Sequence, residues 1–505
     1  MVSGSYKSYG ARVLLVDPSF IGGGGQHLLP NLGLAYIAAA LREKCPSVEV
    51  AVDGFYVNTI PSTIRSLDAF YTLERQFCNR IAHRAQDFDF LGVTCTYMSY
   101  PRALRLFQAC NCKRKKELRT ILGGPHPTLL DQVALWRNKP FEDCDNLDFV
   151  VRGEGEQTMC DLTQHADTPE RVQGITFRKD GRIVRTQSRP QLTTLDELSL
   201  PAWDLFELGH YSHILPLLTS RGCVYTCAFC DERLLFRKYR FRSVPSIVDE
   251  IRSNVQDLKV SRFFFNDSNL TSYPYLEDLC HSIVEANLAI QWRAFARVDE
   301  INETLVQKMK LAGCRVLMLG IESGSQELLN RMRKQISVRD IRRAVELLKR
   351  YGIKVNGSFM IGFPGETEQT AQETIRFAKG LDLDACSWHV FIPSISMIVK
   401  PHRWKIVFPP DFEWKNLDID LPSHLLEDYL HQHAEGWWER HTVPYLTLTA
   451  KPELPTVAWQ LHDTMSFNMA ARLVTQAIKQ TSPSLDFDTR LLEVSNSTPD
   501  QNSRY

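Results

Sequence analysis

The sequence predicts an α/β chain with an N-terminal Rossmann-like domain over residues 11–165, a partial (β/α)6 barrel over 206–395 and a small, mostly helical C-terminal cap over 396–494. Three observations carry this reading. Apolar runs of strand length alternate with helix-length segments in both halves of the chain, the pattern of parallel sheets built from βα units. The repeat in the second half, roughly 25–45 residues, suits one strand and one crossover helix. Only six such units fit before the pattern changes after Pro393, too few to close an eight-stranded barrel.

In order, "ARVLLVD" (11–17) reads as a buried strand and "NLGLAYIAAALREK" (31–44) as a helix. "SVEVAVDGFYV" (47–57), "FDFLGVTCT" (88–96), "RTILGGP" (119–125) and "LDFVVRGEGE" (147–156) supply further strands. Over 166–205, "GITFRKDGRIVRT" (174–186) is two alternating runs about Lys179-Asp180-Gly181, a hairpin. The polar, twice-proline "QSRPQLTTLDELSLPAWD" (187–204) then reads as an interdomain linker. Six strands follow around Leu215–Thr219, Arg262–Asn266, Trp292–Arg297, Val316–Ile321, Val355–Ile361 and Ser387–Phe391, with helices such as Ile336–Tyr351 between them. "EGWWERH" (435–441) reads as an amphipathic capping helix, and the polar tail 495–505 as disordered.

Composition narrows the function classes. Lys plus Arg equal Asp plus Glu at 59 each, so the basic bias of a nucleic-acid binder is missing. The polar N-terminus does not resemble a secretory signal, and no apolar stretch is long enough to span a membrane. Thirteen scattered cysteines do not form a disulfide framework, which points to a reducing, cytoplasmic setting. "GGGG" (22–25) lacks the Lys-Ser/Thr of a phosphate loop, and Cys110 and Cys112 beside "KRKK" read as a solvated turn.

The chemistry concentrates in "TSRGCVYTCAFCDE" (219–232), where Cys223, Cys227 and Cys230 stand at C-x3-C-x2-C on a loop after a strand. Strand C-termini are where βα sheets place active sites. Zinc needs a fourth ligand, which His210 or His213 could supply. A 4Fe-4S cluster held by three thiolates instead leaves one iron open to a substrate or cofactor.

This motif, with the aromatic Phe229 before its last cysteine, resembles that of the radical S-adenosylmethionine (radical SAM) enzymes. The resemblance implies that S-adenosylmethionine chelates the open iron and is cleaved reductively to a 5′-deoxyadenosyl radical, with electrons from a flavodoxin- or ferredoxin-type donor. Further segments match in order. They are "FFFNDSNLT" (263–271) with Asp267, "RAFARVD" (293–299) with Arg297, "LGIESGSQELL" (319–329) with Glu322 and Ser323, and "VNGSFMIGFPGETEQT" (355–370) with Gly362. By resemblance, these strand ends surround the ribose, methionine and adenine portions of the cofactor. "FIPSISMIV" (391–399) departs from the family's usual proline-glycine-threonine, which leaves the geometry near the substrate undefined.

The segments "PNLGLAYIAAALRE", "LGVTCTY", "ILGGPHPTLL" and "DFVVRGEGEQT" resemble the cobalamin-binding domains of class B radical SAM methylases. The resemblance implies that Thr94, Thr96, Gly123, Gly124 and Glu154 lie along the cofactor. The base-off ligand motif D-x-H-x-x-G is replaced by "DPSFIG", so Ser19 stands in the place of the histidine that would bind cobalt. Serine supplies no imidazole nitrogen. The expectation is a cobalamin-dependent radical SAM enzyme that methylates an unactivated carbon of a small-molecule or peptide substrate, in specialised-metabolite biosynthesis. The alternatives are a radical enzyme that cyclises, oxidises or dehydrates without methylation, a vestigial cofactor-free N-terminal domain, and a non-catalytic zinc or cluster protein.

Overall fold

Val13, Leu14, Leu15 and Val16 are at most 2% exposed, because the strand that carries them has helices on both of its faces. A computed structural model describes this chain over residues 10–20, 29–56, 64–111, 118–134, 136–211, 213–391 and 394–398, with short pieces between 413 and 481. The first sheet contains β1 (Arg12–Phe20), β2 (Glu49–Phe55), β3 (Phe90–Thr94), β4 (Arg119–Gly123), β5 (Phe149–Val151), β6 (Ile175–Lys179) and β7 (Arg182–Arg185), in the order β2-β1-β3-β4-β5-β6-β7. Its first five strands pair in parallel. Val13 and Leu15 join one core with helices α1 (Leu32–Lys44) and α6 (Glu156–His165). Leu14 and Val16 join another with α2 (Leu67–Arg84) and α3 (Tyr100–Asn111). Short α4 (Pro125–Leu130) and α5 (Lys139–Asp143) lie between α3 and α6 in sequence. Strand order reverses between β1 and β3, the switch point at which such sheets open a crevice.

Two boundaries differ from expectation. β1 continues to Phe20, so Ser19 lies within the strand rather than on the loop after it, inside the register shift between Asp17 and Phe20. The hairpin is not a linker element. β6 pairs antiparallel with β5 and β7 with β6, so the hairpin extends the first sheet. It covers an edge that a three-residue β5 would otherwise leave open. Asp180 and Gly181 take φ of 49° and 73°, the two positive values of a tight hairpin turn. The linker itself is partly interior: Leu195, Ala202, Trp203 and Phe206 enter a core that runs without a break from the first sheet to the second.

The second sheet has all six expected strands, β8 (Leu215–Leu217), β11 (Arg262–Phe265), β12 (Gln291–Ala296), β13 (Cys314–Glu322), β14 (Lys354–Ile361) and β15 (Ala385–Val390). They pair in parallel in the order β8-β11-β12-β13-β14-β15, an open partial barrel. Two-residue β9 (Ser220–Arg221) and β10 (Arg240–Phe241) form a separate antiparallel pair. The crossovers use α7 (Glu232–Leu235), α8 (Val244–Asp257), α9 (Leu276–Glu285), α10 (Glu303–Leu311), α11 (Gln326–Arg331), α12 (Val338–Arg350) and α13 (Glu368–Lys379). α12 shows how local sequence sets them. Ser337 and Asp340 form a reciprocal cap at its start, and Ile341, Ala344, Val345 and Leu348 make one buried stripe.

Within the expected helical cap, the described pieces include an antiparallel pair, Glu413–Lys415 with Thr447–Thr449. The capping helix 435–441, "GGGG" (22–25), Cys112 and the tail lie outside the described residues. Among the described residues no helix is long and apolar enough to cross a membrane.

Candidate active site

The pairing of β9 with β10, Arg221 with Arg240 and Ser220 with Phe241, closes the cysteine loop at its base. Gly222 opens the loop at φ 92°, where a Cβ would stand 2.9 Å from the Lys238 carbonyl oxygen, so this position requires glycine. Cys223 and Cys227 are half-buried and Cys230 is exposed, whereas Cys45, Cys78, Cys95, Cys110, Cys144, Cys160, Cys280 and Cys314 are buried in the cores. Cys386, on β15, is half-buried as well, so what sets the motif thiols apart is that all three share one loop. Burial pushes the Cys223 thiol above its ordinary range. Among the described residues, no group of three or more His, Cys, Asp or Glu side chains is drawn together at metal-holding geometry, these cysteines included. His210, one of the two zinc-ligand candidates, pairs with Glu207 at 3.0 Å and stacks on Tyr56.

The strand-end residues converge on this loop to different degrees. Arg297, 5% exposed, directs Nη1 at Cys227 Sγ over 3.7 Å and lies 3.5 Å from the centre of the Tyr225 ring. Phe229 packs with Leu328, Met332, Phe363 and Phe391, and the Ala228 amide donates to the Met332 carbonyl at 2.8 Å. Glu322, at a φ of 67°, pairs with buried Lys334 at 2.9 Å. A left-handed non-glycine residue costs on the order of 1–3 kcal/mol and is held only where its surroundings over-determine it. Ser323 is fully buried and bonds the Thr374 hydroxyl at 3.0 Å. The Gly362 amide donates to Glu366, whose carboxyl is pushed up to about 7 by burial. Asp267 is 1% exposed and accepts from the amide and hydroxyl groups of both Thr219 and Ser220, so it ties β11 to the start of the cysteine loop.

Across from the loop lies the crevice of the first sheet. A single cavity of about 640 Å³ is lined by Asp17, Ser19, Thr94, Thr96, Gly123 and Gly124 on one side and by Ser220, Glu232, Asn266 and Asp267 on the other. That volume falls within the roughly 300–1,000 Å³ of small-molecule sites. The two glycines differ in role. Gly124 has a φ of 100° and a Cβ there would meet Cys95 and Thr94 within 2.8 Å, so its own fold requires glycine. At Gly123 a Cβ meets only Val151, at 3.8 Å, and the space beside it is open. Ser19 donates its amide to Asp17, and no histidine lines the cavity among the described residues. Thr96 is engaged with Ser99.

Glu154 is held differently from the other candidates in this set. It accepts from Arg221 at 2.8 Å, from Arg240 and from the Leu192 amide, and Arg221 also reaches Glu156. These buried pairs join the first sheet to the base of the cysteine loop. Arg221, Arg240, Lys334 and Tyr225 are the site residues that sequence reasoning missed. For the arginines the only signal was charge inside the motif "TSRG" and in the two-residue β10, which spacing cannot interpret.

The comparisons with known proteins meet this geometry. The chain matches the Radical SAM superfamily over residues 217–378 and the B12 binding domain over residues 20–163. The chain carries a radical SAM domain and a B12-binding domain. It is 29% identical over 373 residues to an uncharacterized methyltransferase of Pyrococcus horikoshii, covering 72% of this chain and 76% of that one. It is 28% identical over 402 residues to the anaerobic magnesium-protoporphyrin IX monomethyl ester cyclase of Rubrivivax gelatinosus, covering 76% and 68%. In fold, the chain resembles the radical S-adenosylmethionine methyltransferase TsrM from Kitasatospora setae, solved with cobalamin and a 4Fe-4S cluster. The TM-score is 0.61 at 18% identity, with 84% and 85% coverage.

Proposed function

We propose that this enzyme binds a 4Fe-4S cluster on Cys223, Cys227 and Cys230, S-adenosylmethionine beside it and cobalamin in the first-sheet crevice, and methylates a small-molecule carbon that acid–base chemistry cannot activate. The supporting observation is that one cavity runs from the first-sheet crevice to the two ends of the cysteine loop, where Ser220, Arg221 and Glu232 border it while the three cysteines do not, so a substrate there lies between the crevice and the loop. The donor chemistry fits: three accessible thiols on one loop, a buried guanidinium beside Cys227, and an open flank at Gly123. When bound, the cluster and S-adenosylmethionine supply a 5′-deoxyadenosyl radical and cobalamin supplies a methyl group. The chain's own residues position these groups and keep water out. Gly222 and Asp267 shape the loop, Phe229 seals its apolar side, and Glu322 with Lys334 offers opposite charges beside Cys227 for the amino and carboxylate groups of the methionine portion. An external flavodoxin- or ferredoxin-type protein supplies the electron.

Product analysis tests the methylation. Methylation is expected to yield S-adenosylhomocysteine and 5′-deoxyadenosine in near-equal amounts, with one methyl group on the substrate. Turnover with 5′-deoxyadenosine as the only nucleoside product would reject it in favour of a non-methylating reaction, the reading that the Rubrivivax gelatinosus cyclase supports.

The cobalamin assignment carries its own prediction. Gly123→Leu is expected to weaken cobalamin binding at least about tenfold, measured by absorbance titration, because its side chain occupies the open flank. Gly124→Ala is expected to lower stability instead, by about 1–3 kcal/mol for the forced φ. In the cobalt(II) state, bound cobalamin should show no protein-nitrogen splitting in its paramagnetic spectrum, since Ser19 replaces the ligand histidine. Wild-type protein that retains no corrin would instead make the domain vestigial.

A further inference from the structure

Every nitrogen of the Arg297 guanidinium has an assigned direction. Nε and Nη2 bond the two Asp299 oxygens at 3.0 and 3.2 Å, Nη2 also donates to the Lys334 carbonyl, and Nη1 faces Cys227 Sγ at 3.7 Å. The plane of the group is clamped by the Tyr225 ring, whose hydroxyl donates to Glu300 at 2.7 Å. Glu300 in turn accepts from Asn269, Thr271 and Ser272, a polar network that reaches β12 from the loop after β11. The compensating carboxylate of Asp299 lies on the far side of the fork and its side chain is 26% exposed, against 6% for Arg297. Water screens the anion more than the cation, so the buried face toward Cys227 is the positive one.

We propose that Arg297 is a positioning residue for the iron–sulfur cluster: it orients Cys227 through the Nη1–Sγ contact and raises the reduction potential of the cluster bound there. The proposal rests on the reading that the three cysteines hold such a cluster. Reduction adds negative charge to the cluster, and a fixed cation with a hydrogen bond to a ligand sulfur stabilises the reduced form more than the oxidised one. Arginine suits this task because it does not lose its proton, so the bias is the same at every working pH. Tyr225 lies inside the cysteine motif itself, between the first and second cysteines, so the loop carries the clamp that holds its own cation.

The test is a redox titration of anaerobically reconstituted wild type, Arg297→Lys and Arg297→Gln, followed by the paramagnetic signal of the reduced cluster, with iron and sulfide counted in each sample. At full iron content Arg297→Gln should lower the midpoint potential by about 59 mV, a tenfold loss in the one-electron reduction equilibrium. Arg297→Lys, which keeps the charge without the fork, should fall between the two. A wild-type potential in fully loaded Arg297→Gln overturns the proposal. If Arg297→Gln fails to hold iron, Arg297→Lys decides alone: a lowered potential at full loading supports the contact, and an unchanged one overturns it. Wild type that binds no iron would instead overturn the cluster reading.

Discussion

Cys223→Ala, Cys227→Ala and Cys230→Ala, made singly, are each expected to abolish cleavage of S-adenosylmethionine and to strip the brown absorbance of the reconstituted protein. Cys110→Ala should keep both. The contrast follows from where the thiols lie. Cys110 is 2% exposed and packs in the helical core of the first domain, where no iron could reach it without unfolding. The motif thiols are accessible and lie on a loop closed by β9 and β10. One thiolate per iron leaves no spare ligand, so each loss removes an iron site rather than weakening it. Wild type and variants are compared by iron content, visible absorbance and 5′-deoxyadenosine yield. Stoichiometric zinc with no iron in the wild type, or full cleavage activity in any of the three variants, would reject the assignment.

The second large effect is expected at the junction of the two domains. Arg221→Met removes the cation that bonds both Glu154 and Glu156, and Arg221 is itself 9% exposed. Glu154 keeps Arg240, but Glu156, 6% exposed, is left without its cation. Breaking one side of a buried pair costs about 3–5 kcal/mol, because the remaining charge stays desolvated. The urea midpoint should therefore drop sharply near neutral pH. Adding Glu156→Gln to Arg221→Met removes the stranded charge and should recover much of the loss. An Arg221→Met protein as stable as wild type, or a double variant no better than the single, would show that the ion network does not hold the domains together. Cobalamin binding should weaken along with stability, since the same residues border the cavity.

Much of the architecture was legible because its signals are local. The six strands of the second sheet were anticipated, with ends that differ by a few residues, from apolar runs such as RFFF in β11 and from alternating ones such as QWRAFA in β12 and KVNGSFMI in β14. The cysteine loop was legible for a different reason. Metal chemistry fixes residue type and spacing together, and few other demands on a chain produce C-x3-C-x2-C after a strand. The hairpin was legible as a hairpin, since Asp180-Gly181 specifies its turn, but not as part of the first sheet. Turn chemistry is local, whereas the choice of β5 as its partner depends on which edge is left uncovered.

What the sequence by itself determined is therefore the kind of most elements and the place of the cysteine loop after its strand: periodicity, turn residues and thiol spacing depend only on neighbours along the chain. What only the tertiary structure decided is which charges meet. Glu154 stands 67 residues from Arg221, Arg297 stands 70 from Cys227, and Glu322 and Lys334 meet across the short helix α11. Burial makes each of these pairings consequential, because a charge removed from water must find a partner or give up its proton. Which partner it finds is set by the packing of one sheet against the other, and no local pattern encodes that distance.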